Sequence, residues 1–177
     1  MRDFIRYERL QSSPVEPLRQ NPFFFCLKPT SSLVQQPNPI RLPVQVESDF
    51  EHEVELGIII GENAGRNIKA EYAMNTIAGY CLAIDLTART LQNEAAKSGL
   101  PWSISKGFDT FCPVGVNGQL RQEVNTSKML LKIPELIQTI SSLMRLEQGD
   151  LILTAGIDRD FSRMMFRVVP GSLCREK

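Results

Sequence analysis

Apolar residues in this chain come in short runs cut by Gly, Pro and acidic residues, and the stretch Glu51-His52-Glu53-Val54-Glu55-Leu56-Gly57-Ile58-Ile59-Ile60-Gly61 interleaves carboxylates with apolar side chains. Alternation of this kind predicts a β-strand, placed at about 54 to 60. A second strand is predicted over about 77 to 85, within Ile77-Ala78-Gly79-Tyr80-Cys81-Leu82-Ala83-Ile84-Asp85. The period then changes. Ala88, Leu91, Gln92, Ala95 and Ala96 recur at helical spacing, Thr87 is placed to cap them, and Gly99 followed by Pro101 ends them, which predicts a helix over about 87 to 98. A second helix from Pro134 through about Leu143 carries Leu136, Ile137, Ile140 and Leu143 on one face. Leu151-Ile152-Leu153, after the turn at Gln148-Gly149-Asp150, reads as a strand, and Met164 to Val169 as another. Residues 12 to 45 hold Pro14, Pro17, Pro22, Pro29, Pro37, Pro39 and Pro43, so short strands joined by irregular loops are expected there, with Phe23 to Phe25 in the core. The sum is a mixed α+β, mostly β domain covering residues 1–177, with no repeat and no dividing linker.

Strand alternation gives the first chemical clue. Glu53 and Glu55 point the same way, while Val54 and Leu56 turn into apolar packing. Two carboxylates on one small patch repel and raise one another's pKa unless a cation lies between them, which favours a divalent metal. Asp85, at the end of the second apolar run, is the candidate third ligand. His52 faces the opposite side and is assigned a surface or supporting place.

Composition narrows the classes. Lys+Arg and Asp+Glu both total 20, so no basic surplus exists to track phosphates, and nucleic acid is not an expected partner. The longest apolar runs fall well short of the roughly 20 residues a membrane helix needs, so no membrane partner is expected. Cys26, Cys81, Cys112 and Cys174 form no Cys-x-x-Cys pair and read as free thiols in a reducing compartment. A single histidine excludes His-rich zinc sites, and the absence of a Gly-x-Ser-x-Gly elbow argues against a serine triad. Residues 1 to 10 mix Arg2, Arg6 and Arg9 with Asp3 and Glu8, unlike a secretory signal.

Several stretches occur in order: Glu53-Val54-Glu55-Leu56-Gly57, Gly79-Tyr80 through Asp85-Leu86-Thr87-Ala88-Arg89, Gly99-Leu100-Pro101-Trp102, Lys106-Gly107-Phe108-Asp109, Cys112-Pro113-Val114-Gly115, Val116-Asn117-Gly118 through Glu123, and Glu147-Gln148-Gly149-Asp150 through Thr154. Together they resemble the fumarylacetoacetate hydrolase family. The nearest branch is the small acylpyruvase and oxaloacetate decarboxylase or tautomerase enzymes of mitochondria. The resemblance implies a rolled β-sheet fold, a homodimer and a mitochondrial location, with a cytoplasmic one as the alternative. It also implies Mg2+ or Mn2+ on Glu53, Glu55 and Asp85, an active-site lysine at Lys106, and substrate contacts from Arg89 and Gln92. The electrostatics agree: three carboxylates leave a divalent site one charge negative, and Lys106 and Arg89 supply the positive charge that an anionic 2-oxo acid substrate requires. The implied chemistry is acylpyruvate C–C hydrolysis, or oxaloacetate decarboxylation or keto-enol exchange, through an enolate.

Three departures accompany the match. The family's opening segment falls on Met1-Arg2-Asp3-Phe4, and its following His and Glu positions carry Tyr7 and Leu10, so a water-activating dyad is missing. A connecting stretch is absent where Gly115 runs directly into Val116. The family's Thr-Gly-Thr-Pro turn is replaced by Thr154-Ala155-Gly156-Ile157. The sequence reads as a shortened member, and the competing expectation is a catalytically weakened paralogue or isoform with a binding or dimerisation role.

Overall fold

The computed structural model describes residues 3–8, 24–35, 37–115 and 132–154. Among them lie strands β1 (Asp3–Glu8), β2 (Phe24–Pro29), β3 (Leu33–Gln35), β4 (Phe50–Ile60), β5 (Ile77–Ala88), β6 (Cys112–Val114) and β7 (Leu151–Leu153). Four helices join them: α1 (Ala70–Ala73), α2 (Arg89–Lys97), α3 (Ser103–Lys106) and α4 (Ile133–Leu143). The strands form one mixed sheet in the order β2-β1-β7-β4-β5-β6-β3. The pairs β1–β7 and β3–β6 are parallel and the others antiparallel. Among the described residues no helix is long and apolar enough to cross a membrane.

The long antiparallel pair β4–β5 organises the core. On one face Ile58 and Ile60 join Ile152 of β7 against Leu136, Ile137 and Ile140 of α4 and Ala73 of α1. Leu136, Ile137 and Ile140 form the stripe the i, i+3, i+4 spacing predicts, but Leu143, expected on the same face, is exposed at the end of the helix. The helix also starts as expected: Pro134 occupies its first turn, where no amide donor is needed, and Glu135 Oε2 accepts from the Lys132 amide at 3.4 Å. On the other face Cys81, Ala83, Cys112, Leu151 and Leu153 pack together. A third cluster, Leu86, Ala88 and Phe111, gathers Phe50, Leu91 and Phe108 beside α2.

Gly57 of β4 stands opposite Cys81 of β5 and beside Leu151 of β7. A Cβ there would lie 2.6 Å from Cys81 Sγ and 2.9 Å from Leu151 Cδ1, so any side chain larger than hydrogen forces those two side chains to shift. Gly57→Ala is therefore expected to destabilise the fold by about 1–3 kcal/mol, the usual cost of overpacking. Denaturant unfolding reads this directly.

Several boundaries differ from the sequence reading. β4 begins at Phe50, not 54, because Glu51 and Glu53 continue the ladder opposite Thr87 and Asp85. β5 runs on through Ala88, so Asp85 lies inside a strand and does not end one. Thr87 is no helix cap. It is buried in the strand and the helix starts at Arg89, with Ala88 at its N-cap position. The open amides of the first turn are met from outside: Arg89 N–H donates to Asp49 O at 2.7 Å and Thr90 N–H to Ser48 Oγ at 3.1 Å. Threonine is both a capping residue and a β-former, and tertiary pairing decided for the strand. No strand was anticipated at β1. Leu10, Val116 to Glu123, Ala155 to Ile157 and Met164 to Val169 lie outside the described residues.

Candidate functional site

The β4–β5 register places Glu51 opposite Thr87, Glu53 opposite Asp85 and Glu55 opposite Ala83. These positions share one face of the pair by strand alternation. Glu53, Glu55 and Asp85 bring ligand oxygens within 4.8 Å of one another, and Glu55 and Asp85 are fully enclosed. Opposite Glu55 stands only the methyl of Ala83, so the acids meet without a bulky side chain between them. The sequence-predicted triad is thus brought together, by register as much as by the Glu-x-Glu spacing. His52, on the face opposite the acids, is exposed.

Among the described residues, three cations lie around the acids. Lys106, at the end of α3, is fully buried; its Nζ donates to Asp85 Oδ2 at 2.7 Å and Thr87 Oγ1 at 2.8 Å and lies 3.8 Å from Glu53 Oε2. Gly107 fixes its approach, since a Cβ there would meet Ser103 O at 2.6 Å. Arg89 opens α2 at the mouth of the site. Its Nη2 donates to Glu53 Oε1, its Nη1 to Gln92 Oε1 and its Nε to Glu51 Oε2, each at 2.6 Å. Burial on its own would lower the Arg89 pKa, but the carboxylates of Glu51 and Glu53 outweigh it and hold the guanidinium above its ordinary value. Arg89 and Gln92 therefore act as one unit, as their three-residue spacing suggests.

Sequence reasoning missed Lys28 and Glu51. Lys28, on β2, is fully buried, with Nζ 2.7 Å from Asp85 Oδ1. It also donates to the carbonyls of Phe111, at 3.0 Å, and Lys106. The available signal was parity: Lys28 stands two residues from Cys26, and both turn inward while Leu27 turns out.

Carboxylate oxygens are the ligands a hard divalent cation prefers. Oxygens sharing an octahedral ion at about 2.1 Å stand about 3 to 4.2 Å apart, so the 4.8 Å patch needs only small closure to hold one. The donor set fits Mg2+ or Mn2+ and lacks the His and Cys that zinc favours.

The fumarylacetoacetate (FAA) hydrolase C-terminal profile matches residues 6–116 and 114–165. The chain belongs to the fumarylacetoacetate hydrolase family. The two matched pieces meet at residues 114–116, where the sequence reading found a connecting stretch missing. Among its relatives in this family, mitochondrial oxaloacetate decarboxylase of Dictyostelium discoideum is 48% identical over 153 residues, covering 75% of this chain and 69% of that protein. Mitochondrial oxaloacetate tautomerase FAHD1 of Mus musculus is 40% identical over 147 residues, covering 72% and 66%. The chain thus spans about two thirds of these relatives' length. The crystal structure of fumarylpyruvate hydrolase from Pseudomonas aeruginosa in complex with Mn2+ and pyruvate superposes with a TM-score of 0.70 at 25% identity, over 86% of this chain and 75% of that one. These likenesses bear out the family and the mostly β α+β class read from sequence.

Cys112 lies beside the triad in the same sheet. Burial pushes its thiol up to about 12, against a smaller lowering by the Lys28 charge. A thiol whose folded pKa exceeds its unfolded value of 9.0 supports the fold fully below pH 9 and progressively less as the pH rises toward 12. Stability is therefore expected to fall between those limits, and less so in Cys112→Ala. Unfolding at pH 8, 9, 10 and 11 measures the difference.

Proposed function

We propose that this chain is a divalent-metal-dependent enzyme acting on small 2-oxo or 1,3-diketo acids, by oxaloacetate decarboxylation or keto-enol tautomerisation, by acylpyruvate C–C hydrolysis, or by both. The observation that carries the reading is a buried three-carboxylate patch framed by Lys106 and Arg89. The names of the relatives and the Mn2+–pyruvate complex of the fumarylpyruvate hydrolase support it. Glu53, Glu55 and Asp85 would hold Mg2+ or Mn2+, which when bound polarises a 2-oxo carbonyl. Lys106, with Nζ 2.7 Å from Asp85, offsets the acids' charge and stands ready to hold a proton or steady an oxyanion on substrate. Arg89, held by Glu51, Glu53 and Gln92, would receive the substrate carboxylate. A mitochondrial location and a homodimer belong to the same proposal, the first from the relatives' names.

Turnover of oxaloacetate and acetylpyruvate with Mg2+, with Mn2+ and with chelator tests the reading: chelator should abolish both activities. Arg89→Gln should raise the KM for either acid about 10- to 100-fold, the worth of one hydrogen bond to a charged group, with a smaller effect on kcat. A second reading, a catalytically weakened dimer, is favoured by Tyr7 at the family's His position. Metal binding without turnover would select it, and a monomer by light scattering would remove the dimer.

A further inference from the structure

We propose that Lys28 is the resident counter-cation of the acid patch, a positioning residue that fixes Asp85 and keeps the carboxylates assembled before any divalent ion arrives. The inference rests on the metal site proposed above.

Glu53, Glu55 and Asp85 lie within 4.8 Å of one another, and the last two are enclosed. Three such charges without compensation would drive the patch apart, because a buried charge lacking a partner costs several kcal/mol. Many small metal-binding domains fold only with their metal. Here Lys28 and Lys106 cancel two of the three charges, and they divide Asp85 between them: Nζ of Lys28 stands 2.7 Å from Oδ1 and Nζ of Lys106 2.7 Å from Oδ2.

The two lysines are held differently. The Lys106 ammonium donates to side-chain oxygens, those of Asp85 and Thr87. Lys28 is bound by backbone. Its ammonium reaches the carbonyls of Leu86 in β5, Lys106 at the end of α3 and Phe111 just before β6, at 3.4 Å for Leu86 and 3.0 Å for Phe111. Those carbonyls cannot shift without moving three separate segments, so Nζ, and with it Asp85 Oδ1, is fixed by the fold. Lys28 is thereby a cation of the site whose place is set by three backbone carbonyls.

The test is thermal unfolding of the full chain in EDTA and in excess Mn2+, for the native sequence, for Lys28→Met and for Lys28→Met combined with Asp85→Asn. The native chain is expected to be folded in EDTA and to gain a few degrees with Mn2+. Lys28→Met should lose about 10 °C or more in EDTA, and Mn2+ should restore most of the loss, at least doubling the metal increment. Adding Asp85→Asn should recover stability in EDTA and abolish the Mn2+ response. If Lys28→Met does not fold in EDTA, refolding on addition of Mn2+ or on addition of Asp85→Asn supports the proposal. A loss that neither Mn2+ nor Asp85→Asn relieves would show that Lys28 only ties backbone segments, and the proposal falls. Failure of Mn2+ to shift the native chain at all would instead remove the metal reading, while the Asp85→Asn arm in EDTA still decides the role of Lys28.

Discussion

Asp85→Asn is expected to lower the melting temperature by about 6–20 °C as well as to abolish divalent-ion binding. Asp85 is the direct partner of two fully buried ammonium groups, Lys28 and Lys106, each 2.7 Å away. Asparagine keeps the shape and can still accept hydrogen bonds, but it removes the carboxylate 2.7 Å from each ammonium and leaves three cations beside two acids, with Lys106 still 3.8 Å from Glu53. Breaking a buried pair from one side costs about 3–5 kcal/mol. At about 2–4 °C per kcal/mol for a chain of this size, that gives the range stated. Differential scanning in chelator isolates the electrostatic loss from the loss of metal. A drop of only a degree or two would mean that the carbonyl cradle satisfies the lysines unaided.

The second large effect concerns which reaction survives. Hydrolysis needs an activated water, and Leu10 cannot accept its proton, whereas decarboxylation and tautomerisation depend chiefly on charge stabilisation by groups such as Lys106. Loss of a general base typically costs about 10²- to 10⁴-fold, so acylpyruvate cleavage is expected to fall short of oxaloacetate turnover by a factor of that order. Restoring the pair with Tyr7→His and Leu10→Glu should raise cleavage and leave oxaloacetate turnover nearly unchanged, while Lys106→Met should depress both. Steady-state rates on the two substrates decide it. Robust cleavage by the native chain, unimproved by the double replacement, would mean that another group activates water.

What the sequence revealed and concealed follows from the range of the interactions involved. Glu53 and Glu55 were legible because alternation is local, and Arg89 with Gln92 because helical spacing is local. Leu136, Ile137 and Ile140 of α4 were legible for the same reason, and Pro134 marked the start of their helix. The pairing of Glu53 with Asp85 was not, since register is fixed by matching faces across two strands separated in sequence. Thr87 was misplaced because its local preferences for cap and strand conflict, and Lys106 supplied the deciding partner from another segment. Lys28 escaped notice because a lysine before a proline reads as surface. Its burial arises only when β2, β5, α3 and the residues before β6 converge on its ammonium.

The central claim is that Glu53, Glu55 and Asp85 form one divalent-cation site. Calorimetric titration of the native chain with Mn2+, repeated on Glu53→Gln and Glu55→Gln, tests it most directly. Removing one of three anionic ligands should weaken capture of a hard cation severely while leaving the Asp85–lysine pairs in place. The account predicts one Mn2+ per chain in the native protein and none detectable in either variant; unchanged affinity in both would contradict it.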